Sequence, residues 1–373
     1  MKGRLRTGQL PIGLDLGATE VRAVQLRHLS GESLELVASS RVLPPDTPPS
    51  GPERTTKVSS ILRQMLSDRR FSGPQVVASI PNAEIEFRTL RMPAMPPAEL
   101  ATAIQFQAAN RLQLKPQEHE LQFFDVCEVI ESDQKQRELL IMAAHRAAVE
   151  EQVRTLVGAG LQPVALDAGP CALARAFTAP PAAGGGRVLD AQPLVLVDIG
   201  YRSTTVTIAQ NGSACLVRRL DNGGQRLDDA LAAKLGVSAD TAAALRRGET
   251  PVADAQGGAD ASSALRTLNA ITESLAGALA RELAMLTGYY SKTFRQRQPA
   301  TVLIFGREAG TPGLVDAMNR LTGLDCRVAA AWPEPMRSRL PQGFGDATDP
   351  SRWALALGLS FYTVTQQAQE QAA

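Results

Sequence analysis

Two short segments of this 373-residue chain share one pattern, a buried strand that ends in aspartate, an apolar residue and glycine before a second strand begins. The first is "IGLDLGATEVRAVQL", at 12–26, and the second is "VLVDIGYRSTTVTIAQNG", at 195–212. Their aspartates, Asp15 and Asp198, lie 183 residues apart. A repeat at that spacing predicts two related domains, and facing domains commonly enclose a ligand cleft.

The order of the predicted elements indicates an α/β fold class. Each repeat opens a three-stranded β-meander that is followed by alternating helices and strands, which is typical of layered α/β folds. A βαββα pattern interrupts the first repeat. We therefore predict a split first domain, an inserted α+β subdomain, and a second domain whose final helix returns to pack on the first. Their ranges are 1–84 with 162–190, then 85–161, and then 191–373.

The residues after each aspartate suit the binding of phosphate. Gly17 and Gly200 permit a tight turn in which backbone N–H groups approach an oxyanion. The hydroxyls of Thr19, Ser203 and Thr204 follow, and they can donate hydrogen bonds to phosphate oxygens. The two turns together predict a clamp that holds a polyphosphate from both sides.

The two carboxylates themselves suggest a metal. Asp15 and Asp198 held about 4 Å apart would repel by roughly 4 kcal/mol at an effective dielectric constant near 20. A Mg²⁺ ion between them would offset this repulsion, and Mg²⁺ favours carboxylates, waters and phosphate oxygens. The alternative is a plain turn in which each aspartate caps its own loop. The chain has neither a GxxxxGK[ST] loop nor a GxGxxG turn after its first strand.

Two further glycine turns are candidates for the rest of such a site. Gly223 and Gly224 precede a predicted helix, where backbone N–H groups can meet an anion. Gly306 and Gly310 lie in "IFGREAG", a strand-to-helix turn. Each turn either contacts the ligand or merely connects two elements, and the sequence leaves both interpretations open.

Composition and spacing exclude several functions. A net charge of +1 and an aromatic content of 4% argue against nucleic acid as a partner. No apolar run reaches roughly 18 residues, so we expect no direct insertion into a membrane. The histidines, His28, His119 and His145, match no metal or triad spacing, and we expect each to be a surface or packing residue.

These motifs resemble those of a known superfamily. "IGLDLGATEVRAVQL" is similar to the first phosphate motif of the actin-like ATPases, and "VLVDIGYRSTTVTIAQNG" to the second. "IFGREAGTPGLVDAMNRLTGLDCRV" stands in the place of the adenosine motif. The insertion resembles the 1C subdomain of FtsA, and "RMPAMPPAELATAIQFQAANRLQL" followed by "LQFFDVCEV" is most similar to the PilM family. The resemblance implies the actin-like (RNase H-like) fold.

The resemblance to PilM proteins also implies a function. It predicts an ATP-binding scaffold of the type IV pilus inner-membrane assembly platform, cytoplasmic and peripheral to the inner membrane through a partner. That partner would be a PilN-like membrane protein, whose N-terminal cytoplasmic tail lies in a groove between the first domain and the insertion. We expect Leu100, Ile104 and Leu112 to line this groove. Other platform components, the motor ATPase and a second copy of the chain are further expected partners.

The resemblance assigns the nucleotide site residue by residue, with Mg²⁺ held by Asp15 and Asp198 through water. Departures from the family pattern are Ala18, which lacks a hydroxyl, Glu20, which adds negative charge, and Arg307 with Glu308, which replace a glycine run. They predict at most a weak ATPase and leave a pure scaffold open. The nucleotide-binding set is Asp15, Gly17, Ala18, Thr19, Asp198, Gly200, Ser203, Thr204, Gly223, Gly224, Gly306 and Gly310.

Three other functions stay open at this stage. An FtsA-like filament-forming tether needs an amphipathic C-terminal helix, whereas the tail at 363–373 is polar. A GspL-like scaffold of type II secretion normally continues into a transmembrane segment. A small-molecule kinase of the superfamily needs a further carboxylate as general base.

Overall fold

The computed structural model describes nine stretches of the chain, which are residues 10–28, 34–67, 71–115, 117–131, 134–178, 192–247, 261–294, 298–329 and 350–362. The polar tail at 363–373 and most of the Pro/Gly-rich segment at 178–192 lie outside them. Within the described stretches, no helix combines the length and the apolarity that crossing a bilayer requires.

The strands and helices follow the predicted α/β order. The strands are β1 Ile12–Leu16, β2 Glu20–His28, β3 Leu34–Val42, β4 Gln75–Ile80, β5 Ile85–Pro93, β6 His119–Glu131, β7 Gln134–His145, β8 Gln162–Ala168, β9 Leu194–Ile199, β10 Thr204–Gln210, β11 Ser213–Leu220, β12 Thr301–Phe305 and β13 Asp325–Val328. The helices are α1 Pro52–Ser67, α2 Pro97–Arg111, α3 Arg146–Gly158, α4 Gly169–Thr178, α5 Gly224–Leu235, α6 Ala239–Arg246, α7 Ala261–Phe294, α8 Leu314–Thr322 and α9 Pro350–Ser360.

Two five-stranded sheets repeat one topology. Their orders are β3-β2-β1-β4-β8 and β11-β10-β9-β12-β13. In each, an antiparallel meander continues into parallel strands, because β1 pairs in parallel with β4 and β9 with β12. The central strand β9 carries apolar residues on both faces, with Val195 and Val197 in one core cluster and Leu196 in another, since elements cover both sides of the sheet. The internal repeat therefore places Asp15 and Asp198 at equivalent strand ends.

The third sheet, β5-β7-β6, belongs to the insertion. Helix α2 covers one face of it, and Leu100 and Ile104 are buried there against Leu139 and Ile141, with Leu112 partly buried at the same cluster. The prediction that these α2 residues line a partner groove is therefore wrong. Their helical spacing is that of a core-facing stripe, and the sheet of the insertion already occupies that stripe.

Helix α9 packs on strand β1 and on helix α4, with a glycine at each contact. A Cβ at Gly13 of β1 would lie 2.5 Å from the amide nitrogen of Ser360. A Cβ at Gly358 would lie 2.6 Å from the carbonyl carbon of Ala172 in α4. Only glycine permits such backbone contact, so α9 packs closely on α4 and on β1, the strand that carries Asp15.

This packing predicts opposite effects for one substitution in two helices. Gly358→Ala should lower the free energy of unfolding by about 3 kcal/mol, because the methyl group would overlap rigid backbone. Gly288→Ala in α7 should raise it by up to about 1 kcal/mol, since nothing lies within 4 Å of its added Cβ and alanine favours helix. Denaturant unfolding of both variants measures this, and equal effects would contradict the close packing of α9.

Candidate functional site

The two Asp-x-Gly turns have the same local geometry. A Cβ at Gly17 would lie 2.6 Å from the carbonyl oxygen of Glu20, and one at Gly200 would lie 3.1 Å from that of Ser203. The Gly200 amide donates a hydrogen bond to the same Ser203 oxygen at 3.0 Å. Each glycine therefore faces the carbonyl three residues later, a close approach that a side chain would obstruct.

Both turns line a cavity of about 430 Å³. Its wall includes eight residues of the predicted nucleotide-binding set, namely Asp15, Gly17, Ala18, Thr19, Asp198, Gly200, Ser203 and Gly306. The other four are not part of the wall. The hydroxyl of Thr204 donates to the carbonyl of Asn222 at 2.5 Å, and Gly223 lies against the backbone of the second turn. Gly224 lies against the side chain of Glu308, and Gly310 belongs to the turn between β12 and α8.

Sequence reasoning missed the arginines of this cleft. Five of them line it, namely Arg22, Arg54, Arg202, Arg307 and Arg352. Arg22 was detectable, because it lies directly opposite Asp15 in the β1–β2 hairpin. Arg54 is buried and donates to the carbonyl of Gly17 at 2.9 Å, and burial together with repulsion from Arg202 lowers its pKa. The arginines give the cleft an affinity for anions.

Arg22 also sets the electrostatics of the two aspartates. Its guanidinium donates to Asp15 at 3.2 Å and to Glu20 at 2.5 Å. Burial raises the pKa of Asp15, and the Arg22 charge partly offsets this effect. Burial and repulsion from Asp15 raise the pKa of Asp198 to about 7. Arg22 therefore supplies beside Asp15 the positive charge that we expected from Mg²⁺.

The nucleoside side of the predicted site is occupied by the protein itself. Glu308, in the turn after β12, points inward and is fully buried against α5, where a Cβ at Gly224 would lie 2.6 Å from its carboxyl carbon. Arg246 of α6 is also fully buried, and it pairs with Glu308 and, at 2.8 Å, with Asp228. The side chain of Glu308 therefore occupies the space directly against Gly224, one of the glycines of the predicted nucleotide-binding set.

A contact across the cleft separates this cluster from the cavity. Arg307 donates to the hydroxyl of Thr19 at 2.6 Å and so joins the turn after β12 to the first Asp-x-Gly turn. The cavity wall includes Gly306 and Arg307 but not Glu308. The residues present therefore fit the phosphate part of a nucleotide, whereas they do not fit its nucleoside part.

Comparisons with known proteins identify relatives. The family model described as type IV pilus assembly protein PilM matches residues 13–362. Among solved structures, a PilM–PilN type IV pilus biogenesis complex has a TM-score of 0.73 at 21% identity, covering 95% of this chain and 98% of that one. Among curated proteins, none matches this chain.

Two further solved structures show the same fold at lower similarity. The ethanolamine utilization protein EutJ from Carboxydothermus hydrogenoformans has a TM-score of 0.53 at 15% identity, covering 97% of this chain and 92% of that one. MreB 5 of Spiroplasma citri bound to AMPPNP has a TM-score of 0.52 at 11% identity, covering 99% of this chain and all of that one. The predicted actin-like ATPase fold is therefore confirmed.

The raised pKa of Asp198 predicts a pH-dependent stability. Between the usual aspartate pKa of about 3.9 and the folded value of about 7, the folded chain retains a proton that the unfolded chain releases. Stability should therefore fall as the pH rises through this window. Asp198→Asn should remove this part of the fall, so that its thermal midpoint exceeds that of the wild type at pH 8 and approaches it at pH 5. Parallel curves for the two proteins would contradict the assignment.

The Glu308 cluster predicts a gain of nucleotide affinity on truncation. Glu308→Ala should open the nucleoside space and leave Arg246 paired with Asp228, and calorimetry should then show ATP with Mg²⁺ binding at least tenfold more tightly than to the wild type. Glu308→Gln is the matched control, since it removes the charge and keeps the volume. A gain in the glutamine variant as large as in the alanine variant would refute the steric explanation.

Proposed function

The chain belongs to the family of type IV pilus assembly protein PilM, and from this membership we propose that it is a cytoplasmic scaffold of the pilus assembly platform. It binds the N-terminal cytoplasmic tail of a PilN-like inner-membrane protein and is held at the inner membrane by that contact. The solved PilM–PilN complex, with its TM-score of 0.73, supports a partner of this kind.

A second cavity carries this proposal. It has a volume of about 690 Å³ and lies between the insertion and the first sheet. Strands β6 and β7 and helix α3 line one side of it, and β8 and α4 line the other. Its apolar wall residues include Phe124, Met142, Val149, Val153, Ala165, Leu166 and Ala168. We call this cavity the insertion groove. It lies on the face of the insertion sheet opposite to α2, so it replaces the groove predicted from the α2 residues.

The insertion groove suits a short apolar segment in extended form. Its charged groups are paired within the chain, Asp167 with Arg175 and Glu120 with Arg146. Phe124 is 37% exposed on β6, and a partly exposed aromatic ring in a concave wall is a typical anchor for a partner. Strand β6 is also an edge of its sheet, and a sheet edge can accept an extended peptide through backbone hydrogen bonds. An uncharged tail segment with apolar side chains therefore fits the groove.

The cleft between the repeats supports weak binding of a nucleotide. MreB 5, which shares the fold, was solved with AMPPNP, and the phosphate part of the cleft is present here. ATP binding in this chain requires Glu308 to leave its buried pair with Arg246, and such pairs are costly to break. We therefore propose weak ATP binding and slow or no hydrolysis. Association with the motor ATPase, with other platform components and with a second copy stays a prediction.

Truncation of the groove aromatic tests the scaffold function. Phe124→Ala should weaken binding of a synthetic peptide, the cytoplasmic N-terminal tail of the PilN-like protein, by about tenfold or more, because the ring contributes apolar area at the groove wall. Fluorescence anisotropy measures the affinity.

Phe106→Ala is the matched control for this measurement. Phe106 is 67% exposed on α2 and is not part of the groove wall. We expect its truncation to leave the peptide affinity unchanged. Equal affinities of the two variants, or a stronger loss at Phe106, would place the tail elsewhere.

A further inference from the structure

We propose that the insertion binds a divalent transition-metal ion of the Zn²⁺ type through Glu86, His119 and His145. One ligand atom from each of these side chains lies within 4.8 Å of the others. The histidines lie far apart in sequence, and our expectation was that each is a surface or packing residue. The fold of the insertion brings two of them together.

Sheet register explains why the three side chains meet. His119, at the start of β6, pairs directly with His145, at the end of β7. Glu86 of β5 pairs with Ala143, two residues before His145, so all three side chains lie on one face of the sheet. The two imidazole rings have a centroid separation of 4.6 Å. Because the strands fix all three positions, the cluster is held by backbone geometry.

The hydrogen bonding of His119 is that of a metal ligand. Its Nδ1 lies 3.0 Å from the carbonyl oxygen of Lys115, which can only accept, so in the neutral ring Nδ1 carries the proton and Nε2 has the lone pair. His119 is 6% exposed, and this Nε2 has no hydrogen-bond partner in the described part of the chain. Metal-ligating histidines commonly donate their other N–H to a carbonyl in this way. A bound cation would satisfy the otherwise unpaired lone pair.

Glu86 and His145 can supply the other two ligand atoms. Glu86 accepts from Arg88 through Oε2 at 2.6 Å, which leaves Oε1 for a metal. His145 is exposed and immediately precedes α3, so its ring has room to turn. Metal bonds of about 2.0–2.2 Å require the three ligand atoms to close slightly from their present separations, and the two more exposed side chains can provide that movement.

The donor set selects the metal. Two imidazoles and one carboxylate suit Zn²⁺ and its neighbours, whereas Mg²⁺ and Ca²⁺ prefer oxygen ligands. Such an ion would join β5, β6 and the junction of β7 with α3. Because His145 also lines the cleft between the repeats, the ion would fix the insertion beside that cleft. The site is separate from the insertion groove, which lies on the opposite face of the sheet.

Metal titration of the full chain tests the site. After treatment with chelator, the wild type should bind one equivalent of Zn²⁺ by calorimetry, and Co²⁺ should give the visible absorption of a tetrahedral or five-coordinate complex. His145→Ala and Glu86→Ala should each lower the affinity at least tenfold. Both residues are at least partly exposed, so both variants should fold, which circular dichroism checks.

His28→Ala is the matched control, since it removes the remaining histidine of the chain, which lies on β2 of the first sheet. It should leave Zn²⁺ affinity and the Co²⁺ spectrum unchanged. Zn²⁺ should also raise the thermal midpoint of the wild type and not that of His145→Ala. Full Zn²⁺ binding in the His145 variant would place the metal elsewhere in the chain, and no binding by the wild type would equally overturn the proposal.

Discussion

The contact between Arg22 and Asp15 is the interaction on which the cleft between the two repeats depends. The β1–β2 register places the guanidinium opposite the carboxylate, and Glu20 accepts from the same arginine. Without this cation, the carboxylates of Asp15, Asp198 and Glu20 would repel one another at the cleft. Arg352 extends the network by donating to Glu20 at 3.2 Å, so α9 is also tied to the first turn. The charge balance of the cleft is therefore internal to the chain.

An arginine also balances carboxylates on the nucleoside side of the cleft. Arg246 is fully buried between two carboxylates, those of Asp228 and Glu308, and removing one partner of such a pair generally costs several kcal/mol. The cluster therefore favours the arrangement in which Glu308 fills the space next to Gly224. In the insertion groove, by contrast, the charged wall residues Glu120, Asp167 and Arg175 are held in ion pairs, and most of the wall is apolar. The two cavities thus differ in their walls, since five arginines line the cleft between the repeats and mainly apolar residues line the groove.

The sequence predicted the fold well because the signals were local and repeated. Strand, turn and strand follow one another within about 20 residues at Asp15 and again at Asp198, and the fold class inferred from them is confirmed. It predicted the partner groove poorly. The stripe of Leu100 and Ile104 on α2 is real, but a stripe on a helix does not state what it packs against, and the insertion sheet covers it. The histidines show the converse, since His119 and His145 meet only because β6 and β7 pair in a particular register.

The sequence by itself determined the two repeats, the inserted subdomain pattern and the glycine turns, because each depends on neighbours within a few residues. The tertiary structure decided which groups meet across the chain. It placed Arg54 at the first turn, Glu308 against Gly224, and Phe124 at the insertion groove. These contacts join residues from different elements, and their strength depends on burial, which raises the cost of an unpaired charge. The local sequence pattern does not indicate which residues are buried, so these contacts could be identified only in the folded chain.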